Sequence, residues 1–225
     1  MNGYFVTGTD TGIGKTHAAV ALLHALRARR LRACGMKPVA SGCRRTPHGL
    51  RNEDAEALIA ASDPAPAYSD CNPYAFEPAI APHVAARLAG TEPSLAVIGA
   101  AYARIASTCD VVVVEGAGGW LAPVSDALMQ ADVVRALDLF AILVIGLRLG
   151  CINHALLSAR VIHADGCRLA GWIANTIDPS MDAAQATLDT LRVRIDAPLL
   201  GVLPFGMPAR FAPLPDLDAL RLHAS

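Results

Sequence analysis

Along the chain, short uninterrupted apolar runs alternate with longer stretches in which apolar residues recur every three or four positions. The runs predict strands over Tyr4 to Val6, Ala33 to Val39, Val111 to Glu115, Ala141 to Gly146, Leu169 to Ala174 and Leu199 to Leu203. The periodic stretches, KTHAAVALLHALRARR, SLAVIGAAYARIAST, INHALLSARVIHA and MDAAQATLDTLRVR, predict helices. Strands that are apolar throughout, rather than alternating, are buried on both faces. Strands interleaved with helices imply right-handed crossovers and a mainly parallel sheet with helices on both sides. The expected fold class is therefore α/β, a doubly wound sheet. No repeat or low-complexity linker divides the chain, and the Pro-rich segments from Asp63 to Pro82 and after Pro204 read as ordered loops. The expectation is one domain over residues 1–225.

Composition narrows the classes. Charged residues are 17% and hydrophobic ones 53% of 225 residues, with mean hydropathy +0.38, so much of the chain is expected to be buried. The longest apolar run, Leu139 to Leu147, falls far short of the ~20 residues that a membrane helix needs. MNGYFVTG has neither the basic start nor the apolar stretch of a secretory signal, and the expected location is the cytoplasm. Net charge is −1, and the one Arg-rich run (Arg27, Arg29, Arg30, Arg32) closes a helix where cations complement its dipole, so neither nucleic acid nor membrane is an expected partner. Six cysteines show no CxxC or zinc-ligand spacing and read as small apolar fillers. Only Lys15 and Lys37 are lysines, against 17 arginines. In so Arg-biased a chain, a retained lysine marks a place where a compact ammonium is needed and a planar guanidinium does not fit.

Three segments carry chemistry, each at the carboxyl end of a predicted strand, where such folds bind ligands. The first is GTDTGIGKT, Gly8 to Thr16, followed at once by a helix. A loop of small residues lets backbone N–H groups curl around phosphate oxygens, with the helix N-terminus behind them. Residues Thr11, Gly12, Ile13, Gly14, Lys15, Thr16 and His17 are expected around the phosphates of ATP, with Lys15 reaching the β- and γ-phosphates and the Thr16 hydroxyl holding Mg2+. The spacing departs from the usual phosphate loop: five residues separate Gly8 from Gly14 instead of four. The second is DVVVVEGAGG, Asp110 to Gly119, an apolar strand delivering Glu115 toward the metal, with Gly116, Ala117 and Gly118 beside the nucleotide. The third is GMKPVASG, Gly35 to Gly42, which embeds Lys37 in an apolar strand. Asp54, in LRNEDAEAL, reads either as a helix-capping carboxylate or as a second acid directed at the metal.

Together these segments resemble dethiobiotin synthetase. The matching pieces are GTDTGIGKT, GMKPVASG with TPHGLRNEDA, VVEGAGGW, RLGCINHA, GWIANT and APLLGVLP, in one order from Tyr4 to about Gly206. The extra phosphate-loop residue is a feature of that family, and the absence of a carboxylate at Gly12 departs from some of its members. The resemblance implies a homodimeric enzyme that uses Mg2+ and ATP to close a ureido ring from CO2 and 7,8-diaminononanoate, the penultimate step toward biotin. It implies Lys37 as the catalytic cation beside the carbamate and γ-phosphate, and Ser41 as a substrate contact. It implies Thr16, Asp54 and Glu115 as the Mg2+ ligands. Asn175, Thr176, Pro204, Phe205 and Gly206 would hold the adenine end. The helix start over Gly150, Cys151 and Asn153 would take the substrate carboxylate across the dimer interface.

Two rivals share the phosphate loop. ParA/MinD-type ATPase switches resemble KGGxGKT with an early lysine, and here Asp10 stands at that place. A cobyrinate-type amide synthase would need a glutaminase domain for which 225 residues leave no room.

Overall fold

The computed structural model describes residues 2–212 together with 214, 216, 217 and 220. The chain opens with β1 (Asn2–Gly8), α1 (Lys15–Ala28) and β2 (Ala33–Met36). Four short strands and three helices follow: β3 (Val39–Ala40), β4 (Arg44–Thr46), β5 (Gly49–Arg51), α2 (Glu53–Ala61), α3 (Tyr68–Cys71), β6 (Tyr74–Ala75) and α4 (Pro82–Leu88). The remainder alternates: α5 (Leu95–Ala106), β7 (Val111–Gly119), α6 (Gln130–Ala136), β8 (Phe140–Leu147), α7 (Cys151–Ala164), β9 (Arg168–Thr176), α8 (Ala184–Arg194) and β10 (Leu199–Leu203).

Six strands form one sheet in the order β10-β9-β8-β1-β7-β2, and every pairing in it is parallel. Side chains alternate across it, as the two-residue period of a strand requires. Phe5, Val112, Val114, Leu143 and Ile145 pack on one face with α5, α6, α7 and α8. Tyr4, Val6, Val111, Val113, Ile142 and Val144 pack on the other with α1 and α2. Both faces are covered, which is why the strands are Val/Ile-rich runs instead of alternating ones.

The predicted strand Ala33 to Val39 is corrected in one respect. It leaves the main sheet after Met36. Pro38 has no N–H for a ladder, and the Lys37 N–H donates instead to the Cys71 carbonyl at 2.8 Å. Val39 and Ala40 then pair with Tyr74 and Ala75 in a separate two-stranded sheet. Lys37 thus stands just beyond the carboxyl end of β2, lining a cleft at that edge of the sheet. The segment after Asp63 also contains more regular structure than the Pro-rich sequence suggests, namely α3, β6 and α4. Among the described residues no helix is long and apolar enough to cross a membrane.

Candidate active site

The loop from β1 to α1 curls because Gly12 and Gly14 take left-handed backbone, at φ 73° and 87°. Gly14 is also pressed against a neighbour. A Cβ there would lie within contact distance of the Asn175 amide nitrogen, which donates to the Ile13 carbonyl at 2.8 Å. Asn175, at the end of β9, therefore holds the phosphate loop in shape from the side of the sheet. Gly12 is different: a Cβ would meet nothing, so only its positive φ favours glycine, and the loop keeps its form without a carboxylate at that position. No side chain caps α1, which leaves its first N–H groups for an anion.

Four charged side chains meet at this edge. Lys15 is buried, its ammonium donating to the Asp10 carbonyl at 2.9 Å. Burial, reinforced by the nearby charge of Lys37, pushes its pKa down to about 8. The Lys37 ammonium donates to Glu115 Oε1 at 2.6 Å and to the Gly116 carbonyl at 3.2 Å, and pairs with Asp54 Oδ2 at 3.0 Å. The Thr16 hydroxyl donates to the same Glu115 oxygen at 2.9 Å. Lys37 is 4% exposed and Glu115 1%, so the pair sits in protein, whereas the Asp54 side chain is 42% exposed and faces the cleft. Burial alone would lower the Lys37 pKa, but the two carboxylates outweigh it and hold it above the ordinary lysine value. Burial pushes the Glu115 carboxyl upward against the pull of Lys37. Asp54 feels the same two effects with the opposite outcome: burial would raise it, and Lys37 and Thr16 bring it below its ordinary value.

The backbone around these groups is fixed from outside. Asn52 is the N-cap of α2, its side chain accepting from the Ala55 N–H at 3.2 Å, so the capping reading of Asp54 gives way. Asp54 comes two residues later and its carboxylate is free to point at Lys37. The Asn72 amide donates to the Lys37 carbonyl at 2.7 Å. Gln130, 1% exposed at the start of α6, donates to the carbonyls of Ala117 (3.0 Å), Gly119 (2.5 Å) and Ala122 (3.2 Å), and so holds the loop after Glu115. Among the described residues, neither its Oε1 nor the second oxygen of Glu115 has a hydrogen-bond partner; both are buried, and both residues line one small apolar cavity with Phe5 and Val133.

The expected site residues fall into three groups. Thr11, Gly12, Gly14, Lys15, Thr16, Lys37, Ser41, Asp54, Glu115, Ala117 and Gly118 line one cleft of about 790 Å3. Gly116 lies behind its wall and Ile13 beneath the loop, buried. His17, Asn175, Thr176, Pro204, Phe205 and Gly206 line a second cleft of about 390 Å3, on the other side of the start of α1. Gly150, Cys151 and Asn153 line neither. They lie at the N-terminus of α7, next to a surface hollow formed by Thr9, Asp10, His154, Leu157 and Ser158. An ion pair between Arg148 and Asp10 at 2.6 Å ties that helix start to the phosphate loop. Sequence reasoning passed over Asn52, although its residue type suits a helix cap, and had little to mark Asn72, Gln130 or Arg148. The only signal for Gln130 is an amide between Met129 and Ala131, just beyond the glycine-rich loop.

Two carboxylates and a hydroxyl turned toward one point suit a hard cation whose shell is completed by water and phosphate oxygens. Among the described residues no three His, Cys, Asp or Glu side chains gather into a metal-binding group.

A family model described as an AAA domain matches residues 2–208. The ATP-dependent dethiobiotin synthetase BioD of Xanthomonas oryzae pv. oryzae strain PXO99A is 56% identical over 202 residues, 90% of this chain and 90% of that protein. The chain belongs to the dethiobiotin synthetase family. The enzyme of the same name from Xylella fastidiosa strain 9a5c is 54% identical over 204 residues, 91% of this chain and 90% of its own. Solved structures show how far the fold extends beyond the dethiobiotin synthetases. Chloroplast FtsY from Physcomitrella patens aligns with TM-score 0.54 at 17% identity over 98% of this chain, which spans 65% of the FtsY chain. The MinC:MinD complex of Aquifex aeolicus gives TM-score 0.54 at 15% identity, over 91% of this chain and 81% of that one. At such identities the likeness is one of fold alone.

Proposed function

We propose that this protein uses ATP to close the ureido ring of dethiobiotin from 7,8-diaminononanoate and CO2. The observation that carries the reading is the meeting of Lys15, Thr16, Lys37, Asp54 and Glu115 in one cleft of a dethiobiotin synthetase-family chain. In the reaction one amine of the substrate adds to CO2 and loses a proton, giving a carbamate. A carbamate oxygen is a poor leaving group. Transfer of the γ-phosphoryl to that oxygen, with departure of ADP, turns it into a mixed anhydride. The second amine then attacks the carbonyl carbon and inorganic phosphate leaves, closing the ring.

Such a sequence asks the protein for position and charge more than for covalent help. The α1 N–H groups and Lys15 hold the β- and γ-phosphates. Lys37 reaches the cleft between that point and Ser41, where its ammonium faces charge moving from carbamate to phosphoryl. Thr16, Asp54 and Glu115 would hold Mg2+, which when bound neutralises phosphate charge. The second cleft, with Asn175, Thr176 and Pro204 to Gly206, takes the adenine end.

We read the functional unit as a homodimer, the molecule as a single domain and its location as cytoplasmic. Leu149 (96% exposed), just before α7, and Leu157 (51%), one turn on from Asn153 within it, are apolar side chains left uncovered. A two-fold partner covering them would bring its own α7 N-terminus toward the cleft, where the backbone amides of residues 150–153 can take the substrate carboxylate.

The test is product analysis. Purified protein given Mg2+, ATP, bicarbonate and the diamine should form dethiobiotin and ADP in equal amounts, and omission of the diamine should abolish both. ATP hydrolysis indifferent to the diamine, with no dethiobiotin mass, would refute the reading.

A further inference from the structure

The carboxylates assigned to the metal already hold a cation. Lys37 lies 2.6 Å from Glu115 Oε1 and 3.0 Å from Asp54 Oδ2, and the same Glu115 oxygen also accepts from the Thr16 hydroxyl. Mg2+ requires its oxygens at ~2.0–2.1 Å in an octahedral shell. An ammonium donating to those same oxygens takes lone pairs that such an ion needs, and the two like charges repel. We propose that Lys37 and the divalent ion are alternative occupants of the Asp54–Glu115 pair, so that the ion enters only together with the nucleotide, and its entry releases the Lys37 side chain into the substrate cleft. The proposal rests on the ligand assignment made above.

Charge balance gives the direction. Lys15 and Lys37 face Asp54 and Glu115, so the four side chains cancel. A bare divalent ion would leave this largely buried centre with two uncompensated positive charges. A nucleoside triphosphate arriving with the ion brings four negative charges and draws both ammonium groups toward its phosphates. Lys37 has the means to move. Its backbone is pinned at both ends, by the Cys71 carbonyl at 2.8 Å and the Asn72 amide at 2.7 Å, while its side chain adjoins the open cleft beside Ser41. The motion is a change of side-chain rotamer with no rearrangement of the strand. One event would thus load the metal and present the ammonium to the carbamate.

The test measures Mn2+ binding by electron paramagnetic resonance in protein free of nucleotide. Lys37→Met, which removes the competing charge, should bind Mn2+ about 10–100-fold more tightly than the wild type, as expected if the open pair is populated to about 1–10% in the wild type. Mg2+ alone should raise the melting temperature of the variant and leave that of the wild type unchanged. Equal Mn2+ affinity in the two proteins overturns the proposal. If neither binds Mn2+ even with ADP present, and Asp54→Asn changes nothing, the ligand assignment itself has failed. Lys37→Met leaves Glu115 buried with no cation and is the variant most prone to lose its fold, so the wild type supplies a second measurement. With only two lysines in the chain, protein labelled with 13Cε-lysine gives two side-chain signals. The Lys37 signal should stay in place on addition of Mg2+ and shift when Mg2+ is added with a non-hydrolysable ATP analogue. A shift with Mg2+ alone overturns the proposal.

Discussion

The floor of the cleft and its rim are built on opposite plans. At the floor, Lys37, Glu115 and Thr16 are linked by hydrogen bonds of 2.6 to 2.9 Å, and the backbone on either side is held by Asn52, Asn72 and Gln130. At the rim, Leu149 is almost wholly exposed, and the β4–β5 hairpin is fastened by surface ion pairs, Arg44 with Glu56 and Arg45 with Glu77. Buried charge is stable only when paired and hydrogen-bonded, so the floor has to be finished within one chain. A rim that faces solvent can be left open. The charged floor is thus finished within this chain, whereas on the proposed reading the end that recognises the substrate is completed by a second copy.

The strongest test of the contrast is at Lys37. Lys37→Arg keeps the charge but needs more room and a planar two-pronged partner. Turnover should fall by about 10²–10³, as for loss of one preorganised donor to developing charge, while ATP affinity by calorimetry changes only a few-fold. Near-normal kcat in this variant would remove Lys37 from the chemistry and, with it, the inference from lysine scarcity.

Next in size is the rim helix. Asn153→Asp places a negative charge at the amides proposed to take the substrate carboxylate, and should raise the KM for the diamine by about 10²-fold with little change for ATP. Mixed with Lys37→Arg protein, it should recover activity as hybrid dimers form, each carrying one intact site. A mixture no more active than the sum of its parts would break the shared-site reading. Smaller again is Gln130→Ala, which leaves three carbonyls of the 117–122 loop without their donor. Urea unfolding should show a loss of about 1–3 kcal/mol; a loss under ~0.5 kcal/mol would mean that the loop holds itself. The smallest effect belongs to the hairpin. Arg45→Ala breaks an exposed ion pair and should cost no more than about 1 kcal/mol, and a larger loss in the same unfolding experiment would erase the distinction between floor and rim.

The sheet was legible because fully buried parallel strands leave unbroken apolar runs, and all six main strands were anticipated within a few residues. The phosphate loop was legible because its glycines and Lys-Thr pair are dictated by the shape of a phosphate. What remained hidden was held by single polar contacts. Nothing in GMKPVASG says that the strand ends at Met36, except that Pro38 cannot donate, and the partner that takes over, Cys71, is 34 residues away. Asp54 and Asn52 are both residue types that suit the cap of α2; only the β conformation and the side-chain hydrogen bond at Asn52 separate them. Gln130 is one amide in an apolar stretch, and its three carbonyl partners are visible only in three dimensions.

The ion pairs around Lys37 bear on a hazard peculiar to this reaction. CO2 combines with any neutral amine, and on the proposed reading the cleft that carboxylates the substrate also contains two amines of the protein itself. Glu115 and Asp54 keep Lys37 protonated, and a protonated amine has no lone pair to offer. Lys15, lowered to about 8 by burial, is the one more open to attack until phosphates cover it. Until nucleotide arrives, the carboxylates therefore do more than assemble a site: they keep Lys37 protonated and closed to CO2.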